Sequence, residues 1–248
     1  MQTISLHDLL WIERTDCRVF DVVGPTIAGE NLVLKAAREL EGHVGSQLPF
    51  TIRLFKRVPM GGGLAGGSSD AAVFLKAANL LYGLKLKPAD LLEIATSVGQ
   101  DVPFLLSGGT ARATGLGSTV SPLTPVPASW RFLVIWPNVE VSTRAVYETV
   151  DGRAPSARRT PAMVGALARG GDISLFGNDL EPASRRLFPQ LDEAVHKLQG
   201  LVPGLTMSGT GAALFAAFPS GAAADAAQAE VRKLGYPAWV CRPVSATA

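Results

Sequence analysis

Fourteen residues, Pro59-Met-Gly-Gly-Gly-Leu-Ala-Gly-Gly-Ser-Ser-Asp-Ala-Ala72, constrain this chain more than any other stretch, because five of them are glycine. Backbone without side chains approaches an anion closely, and successive N–H groups can point into one concavity. The stretch follows Phe50-Thr-Ile-Arg-Leu-Phe55, whose alternation reads as a strand. It precedes Asp70 to Leu81, rich in Ala and Leu, which reads as a helix. Ser68, Ser69 and Asp70 are residue types that cap a helix N-terminus. Such a helix adds free N–H groups and the positive end of its dipole, so a phosphate chain is the natural occupant. The competing reading is a tight turn with close packing.

Two known phosphate-binding patterns test that idea. The Walker pattern G-x-x-x-x-G-K-[ST] fails, because Ser68 follows Gly67 where lysine is required. The dinucleotide pattern G-x-G-x-x-G is met by Gly61, Gly63 and Gly66. It should lead through one helix to a strand ending in an acid roughly 20 residues on. Here the helix runs into Tyr82-Gly-Leu-Lys-Leu-Lys-Pro88 and a second helix closed by Gly99, so that reading is rejected.

Composition narrows the chemistry further. With 23 basic and 21 acidic residues the net charge is +2, too even to suggest nucleic acid or a membrane surface as partner. His7, His43 and His196 are scattered, which argues against a zinc enzyme or a Ser-His-Asp hydrolase. Cys17 and Cys241 form neither a disulfide framework nor a metal cluster and suit a reducing cytoplasm. No apolar run reaches the ~18 residues of a membrane span, and the N-terminus lacks a signal pattern.

Along the chain, Thr3–Leu6, Leu10–Arg14 and Cys17–Val23 read as strands. Leu32, Val33, Ala36, Ala37 and Leu40 share one helical face, with Gly42 as the stop. Gly108–Val120 is β-like. Three prolines within Pro122–Pro127 place a boundary there, dividing the chain into 1–124 and 125–248. The second half opens on a buried strand, Phe132–Trp136. Helices are expected at Thr160–Ala168, Pro189–Leu198 and Ala222–Leu234, and a last strand at Ala238–Cys241. A second glycine loop runs into an apolar strand over Leu205–Phe218. Strands and helices mixed in both halves indicate an α+β fold.

The glycine loop and the residues after it resemble the GHMP kinase superfamily, and within it the branch with a loop of the type P-x-G-x-G-L-G-G-G-S-S-D-A-A. Ala65 is the one departure, standing where that branch usually has glycine. Val98-Gly-Gln-Asp-Val-Pro-Phe104 resembles the branch's G-x-D-V-P-F, and Thr206-Met-Ser-Gly-Thr-Gly-Ala212 its S-G-S/T-G loop. Smaller agreements are Glu30-Asn-Leu32, Lys56 and Asn178-Asp-Leu-Glu181. The blocks occur in family order across nearly the whole chain. The resemblance implies a two-domain α+β fold, the first domain like ribosomal protein S5 and the second ferredoxin-like, with the active site in the cleft between. It implies transfer of the γ-phosphoryl group of ATP, with Mg²⁺, to the 2-hydroxyl of 4-diphosphocytidyl-2-C-methyl-D-erythritol in non-mevalonate isoprenoid biosynthesis. The expected partner is that small molecule, a cytidine diphosphate ester, acting on a monomer or homodimer.

The resemblance also assigns roles. Asp101 would be the catalytic carboxylate that orients or deprotonates the acceptor hydroxyl; the competing role is a helix cap. ATP would be held by Pro59, Met60, Gly61, Gly62, Gly63, Leu64, Ala65, Gly66, Gly67, Ser68 and Ser69. Asn31 and Lys56 would meet its adenosine end, unless Asn31 is a helix cap and Lys56 a solvated strand-end charge. Tyr147 sits where the branch stacks an aromatic on cytosine, or else is a core aromatic. Ser208, Gly209, Thr210 and Gly211 would wall the phosphate and substrate site, or make a turn between domains.

The branch normally opens with a strand of the type A-K-I-N-L, whose lysine assists the catalytic acid, followed by a G-Y-H turn that contacts cytosine. Neither pattern occurs here. The expectation is therefore a first domain lacking its first strand, from a shortened start, with weak or no turnover by this chain. Two alternatives stay open: a superfamily kinase for another alcohol, of homoserine or mevalonate type, and a nucleotide-binding module with little turnover.

Overall fold

The alternating run at 50–55 becomes the middle strand of the first sheet. A computed structural model of the chain describes residues 1–25, 29–150, 159–169 and 176–246. β1 (Leu9–Arg14) pairs antiparallel and β2 (Val19–Val23) parallel with β3 (Phe50–Phe55), giving the order β1-β3-β2. A parallel pair needs a crossover, supplied by α1 (Leu32–Val44). Asn31 caps that helix, its Oδ1 accepting from Val33 N at 2.8 Å, and Gly45 closes it in the left-handed region. The helix therefore passes through Gly42, the expected stop, because Gly45 carries the αL cap that Gly42 does not.

Phe50, Ile52 and Leu54 turn to one side of β3 and are fully buried beneath α1 and α2 (Gly66–Leu81). Phe50 and Phe74 meet edge to face with ring centroids 5.3 Å apart. α3 (Pro88–Val98) adds Ile94, Ala95 and Val98 to that core, and α4 (Val102–Ser107) adds Val102. The β-like stretch is a hairpin, β4 (Ala111–Thr114) and β5 (Thr119–Pro122). Residues 123–130 that follow lie in no regular element.

The second sheet is wholly antiparallel. β6 (Arg131–Ile135), β7 (Thr206–Met207), β8 (Leu214–Phe218) and β9 (Ala238–Cys241) take the order β7-β8-β6-β9. With helices α5 (Thr143–Thr149), α6 (Arg159–Ala168), α7 (Glu181–Leu187) and α8 (Pro189–Leu198) before β7, and α9 (Gly221–Lys233) between β8 and β9, this is the ferredoxin-like arrangement. The unbroken apolar run of β6 has a physical reason: both its faces are covered. Leu133 and Ile135 join one cluster with Leu191, Leu198 and Leu214. Phe132 and Val134 join another, against which Ile4, Leu6, Leu64, Met163 and Phe215 pack.

The expected strand at Thr3–Leu6 is instead a seam. Gln2 bridges to Thr110 and Ile4 to Pro243, so residues two positions apart pair with different halves of the chain and no ladder propagates. Thr3 N donates to Gly109 O at 2.9 Å and Ser5 N to Arg242 O at 3.0 Å.

The Phe50–Phe74 contact sits where sheet and helix meet with no solvent access. Phe74→Ala should cost about 3–5 kcal/mol in urea unfolding; a loss below about 1 kcal/mol would show that this contact does not organise the first core.

Candidate active site

α2 begins at Gly66, one turn before the sequence signals place it. Ser68, Ser69 and Asp70, expected as caps, are inside the helix, and Ser69 N donates to Ala65 O at 2.9 Å. Gly66 sits close against the chain leaving β3: a Cβ there would lie 3.1 Å from Val58 Cγ1 and 3.4 Å from Asp8 Oδ2, so a side chain would have to displace Val58 slightly. The N-cap position falls to Ala65, held in the left-handed region at φ 53 and ψ 30, with no side-chain cap. The first-turn N–H groups of Gly66, Gly67 and Ser68 thus have neither helical acceptors nor a capping side chain.

The loop is anchored by one buried cation. Lys56 Nζ donates to Asp8 Oδ2 and, at 2.8 Å, to Asp70 Oδ2. The Lys56 and Asp8 side chains are only 5% and 2% exposed. Asp8 precedes β1, Lys56 follows β3 and Asp70 lies in α2, so three segments meet in one triad. Asp8 Oδ1 also accepts from Arg57 N and from Val58 N, the latter at 2.9 Å, fixing the backbone that enters the loop. Burial works against the Lys56 ammonium, but the hydrogen bonds and charges of Asp70 and Asp8 outweigh it and raise its pKa. Burial pushes Asp70 up to about 6; Lys56 pulls it down, and Asp8, which shares that cation, works against the pull. Lys56 is therefore not a solvated charge, and its ammonium is already occupied by protein carboxylates.

Asp101 stands at the N-cap position of α4, yet its side chain makes no capping hydrogen bond. Among the described residues its carboxylate has no hydrogen-bond or ion-pair partner, and burial raises its pKa above the ordinary carboxylate value. It lines a cleft of about 670 Å³ together with Gly63, Leu64, Ala65, Gly66 and Ser69 of the glycine loop and Gly209 of the second loop. Helix α2 therefore presents its uncapped N-terminus, and α4 a free carboxylate, to one space. Asp8, Arg112, Asn178 and Ser208 also line it.

The other expected site residues lie elsewhere. Asn31 caps α1. Tyr147, on α5, is 60% exposed rather than a core aromatic, and neither it nor Gly61, Gly67 or Ser68 lines the cleft. Thr210 is buried with its hydroxyl 3.0 Å from Thr143 Oγ1, and Gly211 packs against Met207.

The two glycine loops touch directly. Ser208 Oγ donates to Gly63 O at 2.8 Å and Ala213 N to Gly62 O at 3.1 Å. At Gly63, φ is +67 and a Cβ would fall 2.1 Å from Ser208 O, so this glycine is required by the contact between loops as well as by its own backbone. Sequence reasoning missed Asp8 altogether; an acid between apolar stretches, in Leu6-His-Asp-Leu-Leu10, was the only signal.

Comparison with known proteins agrees with this geometry. Residues 31–109 match the GHMP kinases N terminal domain and residues 159–237 the GHMP kinases C terminal domain, so the fold and cleft are those of a GHMP kinase. A 4-diphosphocytidyl-2-C-methyl-D-erythritol kinase from Bordetella parapertussis is 39% identical over 233 residues, 92% of this chain and 76% of the relative. One of the same name from Salinispora tropica is 38% identical over 222 residues, 81% of this chain and 70% of the relative. A crystal structure of 4-(cytidine 5'-diphospho)-2C-methyl-D-erythritol kinase superposes with a TM-score of 0.78 at 34% identity, covering 97% of this chain and 87% of that one. The chain belongs to the 4-diphosphocytidyl-2-C-methyl-D-erythritol kinase family.

The triad generates a prediction with a defined sign. Asp70 titrates at about 6 in the folded protein against an ordinary 3.8. Its stabilising contribution is complete below the lower value and lost as pH rises through the upper one. Wild type should lose up to ~3 kcal/mol relative to Asp70→Asn between pH 4 and pH 7, the weight of about two pKa units. Lys56→Met, which strands two buried carboxylates, should cost about 3–5 kcal/mol at pH 7. Urea unfolding across pH checks both, and parallel wild-type and Asp70→Asn curves would contradict the assignment.

Proposed function

We propose that this chain transfers the γ-phosphoryl group of ATP to the 2-hydroxyl of 4-diphosphocytidyl-2-C-methyl-D-erythritol, a step in making isoprenoid precursors. One observation carries the reading: an uncapped helix N-terminus and an unpartnered carboxylate line the same cleft. Phosphoryl transfer asks the protein mainly for positioning and charge neutralisation. The amides from Gly63 to Gly66 hold the β- and γ-phosphates, aided by the α2 dipole. The rest of the loop, from Pro59 to Gly62, sets its course, and Asn31 stands at the start of α1 towards the adenosine end.

Asp101 aligns the acceptor hydroxyl. As the oxygen bonds to Pγ and the bond from Pγ to the ADP oxygen breaks, the hydroxyl proton passes to the Asp101 carboxylate. Burial raises the Asp101 pKa, which favours its accepting the proton. Gly209 faces the acceptor from the second domain.

Mg²⁺ keeps several of its waters and binds through one or two protein oxygens plus substrate phosphates. A cleft with the Asp101 carboxylate and the Ser69 hydroxyl, and with no cluster of three ligating side chains among the described residues, fits an ion that arrives on ATP. When bound, it would neutralise charge on the phosphates. No helix among the described residues is long and apolar enough to cross a membrane. We place the reaction in the cytoplasm, a setting that suits the two free cysteines.

The test is ATP consumption against a panel of the cytidine diphosphate ester, homoserine and mevalonate. Any turnover, however weak, should appear with the first alone, and Asp101→Asn should lower it at least ~10²-fold with little change in ATP affinity. Preference for another alcohol would redirect the substrate assignment, and nucleotide binding without turnover in any arm would leave a binding module.

A further inference from the structure

The second glycine loop is held from behind by a single amide. Asn178 Nδ2 donates to Met207 O at 2.9 Å and to Gly209 O at 2.6 Å, and Asn178 Oδ1 accepts from Leu180 N at 2.9 Å. Both donors and the acceptor of the side chain are therefore used, two of them on the carbonyls that flank Ser208. Neighbouring groups complete the support. Glu181 Oε2 accepts from Met207 N at 3.2 Å, and Ser184 Oγ donates to Thr210 O at 2.8 Å. From this loop Ser208 Oγ and Ala213 N reach across to Gly63 O and Gly62 O.

We infer that Asn178 is a positioning residue for the phosphate loop. By fixing the Met207 and Gly209 carbonyls it sets where Ser208 stands, and Ser208 in turn fixes the peptide at Gly63 beside the amides that hold the phosphates. This rests on the phosphate-binding role proposed above, but the mechanical link is independent of it. The chemistry needs an amide. A carboxylate would set oxygen against two carbonyl oxygens, and an apolar side chain would leave both carbonyls without donors. Asn178 touches no reacting atom in this role. Its influence travels through two backbone carbonyls and one hydroxyl, and it favours ground state and transition state alike. Substitution should therefore raise the ATP KM while leaving kcat nearly unchanged.

Two measurements test the inference. The first is nucleotide affinity by calorimetry with a non-hydrolysable ATP analogue, alongside the ATP KM and kcat. Asn178→Ala and Asn178→Asp should each weaken binding and raise KM about tenfold with kcat within threefold. Ser208→Ala should do the same, and the double variant should be no worse than either, because both act along one path. The second is amide hydrogen exchange on the nucleotide-free full chain. Asn178→Ala should speed exchange in peptides covering 206–213 and also 59–69, over a hundred residues away in sequence. Ser208→Ala should speed 59–69 in the same way, which keeps the link testable if the Asn178 variants fold poorly. Faster exchange confined to 206–213, additive effects in the double variant, or a fall in kcat with unchanged KM would overturn the proposal. Failure of wild type to bind the analogue would instead count against the kinase reading, leaving the exchange result to decide the inference.

Discussion

A single buried ammonium, that of Lys56, organises the site. It is shared by Asp8 and Asp70, and through it the segment before β1, the exit of β3 and the second turn of α2 are held at one point. Two carboxylates with one cation leave a net negative charge inside the protein, which is costly unless hydrogen bonds satisfy the remaining lone pairs. Asp8 meets that condition by accepting two backbone N–H groups at the entrance to the glycine loop. The elevated Asp70 pKa is the residue of that cost. With the loop entrance and α2 fixed to the same lysine, Gly63, Leu64, Ala65 and Gly66 of the turn between them line the cleft.

The cleft then takes its character from what is left unpaired. Ala65 supplies no cap, so the start of α2 keeps its donors. Asp101 occupies a cap position without capping, so its carboxylate stays available. Both are small local departures from what stabilises a helix, and Ala65 adds roughly 1–2 kcal/mol of left-handed strain. Function concentrates where local rules are broken and the surroundings hold the break in place. Leu64 shows how: its side chain packs into the apolar cluster under β6, so the loop is tied to the second domain by apolar contact as well as by Ser208.

What the sequence discloses depends on how local the signal is. The glycine loop, Asp101 and the strands at 50–55, 132–135 and 238–241 are legible because each is a contiguous pattern. The apolar run of β6 predicts burial on both faces, and it is so buried. The roles of Lys56 and Asp8 are not legible, since their meeting depends on residues 48 positions apart in the chain. The same holds for Asn178, whose carbonyl partners lie 29 and 31 residues away. The start of α2 is misplaced by sequence because glycine signals a break by propensity, whereas Gly66 and Gly67 stand inside the helix here. α5 and α7, each of 7 residues, are too short for helical periodicity to show. Tyr147 is the opposite case, an aromatic with motif context that stands exposed on α5 outside the cleft lining.

The central claim is that the Lys56-anchored loop and the free Asp101 carboxylate form one phosphoryl-transfer site. A crystal structure of the chain with a non-hydrolysable ATP analogue tests it most directly. The expected result is β- and γ-phosphate oxygens within hydrogen-bonding distance of the Gly63–Gly66 amides, the γ-phosphate turned toward Asp101, and the Lys56–Asp8–Asp70 triad intact. A nucleotide bound away from this loop, or an Asp101 carboxylate directed out of the cleft, would contradict it.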